Sequence, residues 1–229
     1  MVALPFKGGG YVHRLALAYA AEGLRLLSEG VTATRIENAG KALSMPMGPL
    51  ALTDRMGAAS LAASLKARGG DDRSGADLVR AVDVIERLLS VHRGASAGGP
   101  LFYASDVKGQ TGLLSVSLGE EFEPAVEQPG QEAVKERLLT IMEVEALRCL
   151  EEGMFKSPET GDVMAVFGLG FAPWTGGPFS HIDTQGWTRF LALSDSLAER
   201  HGARFTCPSL LRSDGAGSGR FYKTLDFAA

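Results

Sequence analysis

The stretch EALRCLEEGMFKSPETGDVMAVFGLGFAPWTGGPFSHIDTQG, residues 145–186, decides the fold. It reads as a helix that stops at Gly153, a second helix opened by Ser157 and Pro158, a glycine-rich bend, and a third helix restarting near Pro178. A shorter form of the same text, EGLRLLSEGVTATRIENAGKALSMPMGPLALTDRMG, occupies residues 22–57. Glu22 and Glu145 lie 123 positions apart, as do Gly30 and Gly153. Pro49 and Pro178, Asp54 and Asp183, and Gly57 and Gly186 lie 129 apart. Six residues are therefore inserted between the two halves of the match, the order otherwise holds, and the pattern implies an internal duplication.

Outward from these two stretches, apolar residues at helical spacing from Tyr11 predict a first long helix ending at Gly30. The next helix starts at Thr32, or two residues later if Thr34 and Glu37 form a capping box. Pro49 suits the first position of a third helix, and residues 57–68 and 76–91 read as two more, separated by the loop at 69–75. Glycines punctuate residues 94–131, where Leu113–Leu118 alternates like a short strand. From Glu132 a second amphipathic helix begins, with Leu138, Leu139, Met142, Ala146, Leu147 and Leu150 along one face and Glu136, Arg137, Glu143, Arg148 and Glu151 along the other. Helices at about 187–200 and 208–212 follow, then a tail whose Arg220–Tyr222 docks at the end. The expected organisation is all-α: a first helical repeat over 1–98, a glycine-rich connector over 99–131 and a second repeat over 132–229. With no sheet to cover them, the apolar faces of the two copies are expected to bury each other as an internal pseudo-dimer.

Length and composition exclude several classes. At 229 residues the chain can bury a real core. A net charge of -4 argues against nucleic acid as partner, since phosphate binding needs a basic face. Cys149 and Cys207 are too few and too far apart for a zinc site or a disulfide framework, and read as small buried or half-buried side chains, which fits a reducing cytoplasm. No secretory signal is present. Residues 163–180 carry no formal charge, but their glycines and prolines rule out a membrane-spanning helix, and the run reads as protein interior. The 29 glycines serve helix ends and close helix crossings.

No assembled active site is legible from the residues alone. The bend GLGFAPWTGGP imitates a dinucleotide fingerprint but has Pro173 where the third glycine belongs, and the nearest acidic residue, Asp183, comes too early. It reads instead as a close helix crossing filled by Trp174 and Phe179. His181 and Asp183, two apart, point to different faces of a helix and make a poor chelate. Asp183 is matched by Asp54 whereas His181 is matched by Leu52, so the aspartate reads as structural, accepting backbone N–H groups at a neighbouring helix start. His92 and His201 read as surface residues, His201 at a helix C-terminus.

At residues 9–19, GGYVHRLALAY, the sequence resembles the opening of the C-terminal domain of 3-hydroxyacyl-CoA dehydrogenases, with Gly9, Arg14, Ala18 and Tyr19 matching that family's signature. MPMGPLALTDRMG, residues 45–57, resembles the family's P-M-G-P-x-x-L-x-D-x-x-G. GLGFAPWTGGPFSHIDTQG, residues 168–186, looks like the corresponding part of multifunctional fatty-acid-oxidation proteins, in which this domain is duplicated. The likeness spans about 11–57 and 132–212. It implies a fold of the 6-phosphogluconate dehydrogenase C-terminal-domain-like type. It also implies a complete enzyme that oxidises L-3-hydroxyacyl-CoA with NAD, in which the helical domain closes the substrate cleft and lends it an asparagine from its first helix. Here His13 stands at that asparagine and Gly10 at the signature's aromatic residue. Histidine can still hydrogen-bond a thioester or keto oxygen. His13 is thus the one substrate-binding candidate.

About ten residues precede the first helix, so the NAD site and the catalytic His–Glu pair are expected on a partner domain or subunit in trans. No cofactor is expected in this chain, and acyl-CoA binding by the chain alone is expected to be weak. The competing expectation is a catalytically silent helical interaction module.

Overall fold

A computed structural model of the chain describes residues 10–68, 75–91, 99–105, 111–213 and 219–222. The fold is all-α. Its helices are α1 (Tyr11–Ser28), α2 (Ala33–Ala42), α3 (Pro49–Met56), α4 (Ala58–Arg68), α5 (Gly75–Val91), α6 (Leu118–Glu121), α7 (Gln131–Glu151), α8 (Pro158–Met164), α9 (Pro178–Gln185), α10 (Trp187–His201) and α11 (Ser209–Ser213). Among the described residues the β structure is one antiparallel pair, β1 (Tyr103–Ser105) and β2 (Thr111–Leu114). It lies in the predicted connector, and only the first part of the alternating run Leu113–Leu118 is strand.

The helix ends follow from the residues that mark them. Gly30 (φ +83°) and Gly153 (φ +72°) both end long helices in the left-handed region. In each case the next residue's amide reaches back five positions, Val31 to Leu26 and Met154 to Cys149, which satisfies a terminal carbonyl. Ser157 caps α8 by accepting from the Thr160 amide, and Pro49 and Pro178 occupy the first turns of α3 and α9. Thr32 flanks α2 without a side-chain cap, and Glu37 forms no capping box with Thr34 because its carboxylate is used elsewhere.

The chain forms two compact units. One is Ala16–Ile141; the other joins Met1–Leu15 to Met142–Ala229. In the first, α2 packs on α3, α3 on α4 and α4 on α5. Gly23 of α1 meets Pro49 so closely that an added Cβ would lie 2.4 Å from the proline's Cβ. Gly23→Ala is therefore expected to destabilise this unit by about 1–3 kcal/mol, the usual cost of overpacking, read as a lower urea midpoint. In the second unit α8 packs on α9 and α9 on α10. Its aromatic core links Tyr11 to Phe155 (ring centroids 4.6 Å), Phe155 to Phe179 (5.8 Å) and Phe179 to Phe221 (5.1 Å).

Each unit is tied by the same ionic clamp. In the first, Arg137 Nε donates to Glu22 (2.9 Å), its Nη1 donates to Glu29 (2.5 Å), and Arg25 sits beside Glu22 (3.4 Å). In the second, Arg14 Nε donates to Glu145 (2.7 Å), its guanidinium also holds Glu152, and Arg148 sits beside Glu145 (3.5 Å). All four residue types recur 123 positions apart, the offset of the sequence repeat.

A second carboxylate network also recurs. Glu37 accepts the α3 amides of Leu50 (2.8 Å) and Ala51 (3.4 Å) and the Tyr103 hydroxyl. Asp162 accepts the α9 amides of Phe179 (2.8 Å) and Ser180 (3.0 Å), the Ser180 hydroxyl and the Tyr222 hydroxyl. Asp54 and Asp183 do accept backbone N–H groups, but not at a helix start. Asp54 takes those of Leu101, Phe102 and Tyr103, and Asp183 takes those of Phe221 and Tyr222. The helix starts were already occupied by Glu37 and Asp162, so the repeated aspartates anchor extended segments. Arg220–Tyr222 thus docks as expected.

The reading of residues 163–180 as interior is corrected. Ala165, Leu169, Phe171 and Phe179 are buried, but Val163, Phe167 and Trp174 are 57%, 79% and 60% exposed. A charge-free run need not be an interior one, because a surface helix shows one face to solvent. Phe179 fills the core here and Trp174 does not. Among the described residues no helix is long and apolar enough to cross a membrane. Cys149 and Cys207 are buried and form no disulfide, and burial pushes the Cys207 thiol up to about 12.

Candidate functional site

His13 is the third residue of α1 and is half-buried. Its neighbours are fixed by packing and charge. Tyr11 is buried against Phe155. Val12 meets Gly168, where an added Cβ would come within 2.8 Å of Val12 Cγ2. Arg14 is held by Glu145 and Glu152 and also approaches Met154 Sδ (3.3 Å). Three locked neighbours on a regular helix leave the backbone of His13 little freedom. The first turn of α1 carries no acidic residue of its own, and its amide ends form the positive pole of the helix. An imidazole N–H beside that pole is suited to donate to a carbonyl oxygen.

The segment facing Val12 is unusual backbone. After α8 the chain continues as a π-helical turn, Ala165–Leu169, closed by Gly170 (φ +78°). A short 3-10 turn, Pro173–Thr175, then leads through Gly176 and Gly177 into α9. A dinucleotide does not fit this bend. Residues 163–167 are helix rather than strand, and the first amides of α9, where a phosphate would sit, already donate to the Asp162 carboxylate.

A second polar cluster was invisible to sequence reasoning. Glu143 of α7 is 1% exposed and contacts His181 Nδ1 of α9 at 2.5 Å. Gln185 lies 2.9 Å from the same ring nitrogen, and Trp174 stands edge-on to the imidazole, with centroids 5.4 Å apart at 85°. Burial raises the Glu143 carboxyl above its ordinary value, against the lowering effect of His181. Asp183 points elsewhere, to Trp187 Nε1 (2.8 Å) and the Phe221 and Tyr222 amides. The expectation that His181 and Asp183 serve different faces therefore holds. The sequence places Glu143 on the polar face of this helix, and the structure corrects that: Glu143 and Arg137 are buried, each against a carboxylate or imidazole partner distant in sequence.

His201 ends α10 beside the Phe205 ring, and His92 lies outside the described residues. Among the described residues no group of three or more His, Cys, Asp or Glu side chains is placed to hold a metal. An open cleft of about 290 Å³ in the unit Ala16–Ile141 is lined by Glu29, Arg80, Asp83 and Arg87. Its charges balance, two acidic and two basic, and two of them are already paired: Arg137 engages Glu29 and Arg87 engages Glu121. Nothing there selects an anion.

Compared with known families, residues 9–105 match the one described as 3-hydroxyacyl-CoA dehydrogenase, C-terminal domain.

Proposed function

We propose, from a chain whose residues 9–105 carry a 3-hydroxyacyl-CoA dehydrogenase C-terminal domain, that it forms the helical substrate-cleft part of an L-3-hydroxyacyl-CoA dehydrogenase acting in fatty-acid β-oxidation. The observation that carries the reading is the family match over α1, in which His13 is held half-buried between anchored neighbours. His13 donates a ring N–H to the thioester or keto oxygen of an acyl-CoA. NAD, bound on a partner domain or subunit, supplies hydride acceptance, and the residues described here take no part in that step. The recurrence of the clamp and of the carboxylate networks supports a duplicated module, divided at 1–98, 99–131 and 132–229. Two buried thiols outside any disulfide suit a reducing cytoplasm.

Isothermal titration of the chain with acetoacetyl-CoA tests this reading. Weak binding that His13→Ala reduces several-fold is the expected result. Absence of heat at millimolar ligand favours the second reading, a helical interaction module, which the exposed Val163, Phe167 and Trp174 support.

A further inference from the structure

We propose that Val163 and Phe167 form an apolar rest for the hydrocarbon tail of an acyl-CoA, so that the chain prefers long-tailed thioesters to short ones. The reading of His13 as the contact for the thioester or keto oxygen is the premise, and it leaves the tail to be accommodated. The two apolar side chains are 57% and 79% exposed. They stand four apart on the helix formed by α8 and its π-helical turn, and so share one side of it.

The fold does not ask for hydrocarbon at these positions. Glu37 and Asp162 do the same work in the two copies of the module and lie 125 positions apart. At that offset Val163 corresponds to Asn38 and Phe167 to Ala42, both exposed on α2. The first copy thus keeps this helix in place with a polar and a small residue on its outer side. A phenyl ring left in water stabilises nothing, so the second copy departs from the first without a gain in packing. Moreover, α2 ends as plain α-helix, whereas α8 runs on into the π-helical turn Ala165–Leu169 that carries Phe167. Single π-helical turns within α-helices gather at functional sites.

Position decides what this pair meets. Gly168, the residue after Phe167, lies so close to α1 that an added Cβ would fall 2.8 Å from Val12 Cγ2. Val12 immediately precedes His13 in the first turn of α1, and all of these residues belong to the unit that joins Met1–Leu15 to Met142–Ala229. The apolar pair therefore borders the turn that carries His13, and a thioester held at His13 can lay its tail along it. From Val163 to Ser180 the chain has no formal charge, so hydrocarbon settles there without stranding an ion. Two side chains fall far short of the roughly 20–30 residues a side that a stable protein interface uses, but they suffice to cover part of an acyl tail.

Isothermal titration of the full chain with acetoacetyl-CoA and with 3-oxodecanoyl-CoA, which differ only in tail length, reads the tail rest. Wild type is expected to bind the longer ligand at least about tenfold more tightly, because every tail methylene taken out of water contributes. The double change Val163→Asn, Phe167→Ala, which copies the first repeat, is expected to retain helical circular dichroism and to lose most of that preference. His13→Ala is expected to weaken both ligands by a similar factor. Val79→Ser, at a 55% exposed valine of the other unit, controls for unspecific adhesion and is expected to keep the wild-type ratio. A preference that survives the double change, or that falls with Val79→Ser, overturns the proposal. Binding that His13→Ala weakens but that ignores tail length overturns the tail rest alone, as a protein-docking face would require. Absence of heat with either ligand overturns it together with the reading of His13.

Discussion

Replacing Arg137 with alanine is expected to cost roughly 3–5 kcal/mol of stability, the usual penalty for breaking a buried ion pair by removing one partner. Glu22 is fully buried and Arg137 is 5% exposed. With the guanidinium gone, the Glu22 carboxylate loses two hydrogen bonds and keeps the longer contact with Arg25, at 3.4 Å. Glu29, part-exposed, turns to water and adds little to the loss. The paired loss is what makes the change large, not the attraction itself, because a buried pair pays heavily in desolvation. Lys135→Ala on the same helix is the control. Its partner Glu132 is 81% exposed, so its loss is expected to stay below about 1 kcal/mol. Urea unfolding of both variants at pH 7 gives the comparison, and equal effects would contradict the clamp.

Removing the Asp162 carboxylate is expected to be of similar size, on the order of 4 kcal/mol, because each hydrogen bond to a charged group is worth about 1.5–3 kcal/mol. Asp162 is 4% exposed and serves two α9 amides, the Ser180 hydroxyl and the Tyr222 hydroxyl. In Asp162→Ala those donors lose their acceptor inside the unit, and the Phe221–Tyr222 segment loses one of its two carboxylate anchors. Asp162→Asn keeps one acceptor oxygen and is expected to lose about half as much. Amide exchange at Phe179 and Ser180 should accelerate in the alanine variant before the rest of the unit responds. Unchanged protection there would show that Asp162 does not fix the start of α9.

The readable and unreadable parts of this chain divide along physical lines. Helix ends were readable because they are set by single residues acting locally: Gly30 and Gly153 with positive φ, Ser157 as a cap, Pro49 and Pro178 in first turns. The repeat was readable because it preserves spacing, and the clamps of Arg14 and Arg137 fall on it without exception. Glu37 and Asp162 were missed because they differ in type and stand 125 positions apart, between the two offsets of the match. Only the fold shows that they do the same work. Exposure of Phe167 and Trp174 was hidden because charge counting along a segment says nothing about which side of a helix each residue occupies. His13 was legible through resemblance alone. Its flanking anchors, Phe155, Gly168 and Glu145, are all more than 130 residues away in sequence.

The most direct measurement is the oxidation of NADH with acetoacetyl-CoA, followed at 340 nm. The chain is assayed alone and then with an NAD-binding dehydrogenase domain added. A chain that shapes the acyl-CoA side of the cleft and holds no nicotinamide should give only background alone and should raise turnover when the NAD domain is present, less so as His13→Ala. Turnover above background by the chain alone, abolished by heat denaturation, would contradict that account.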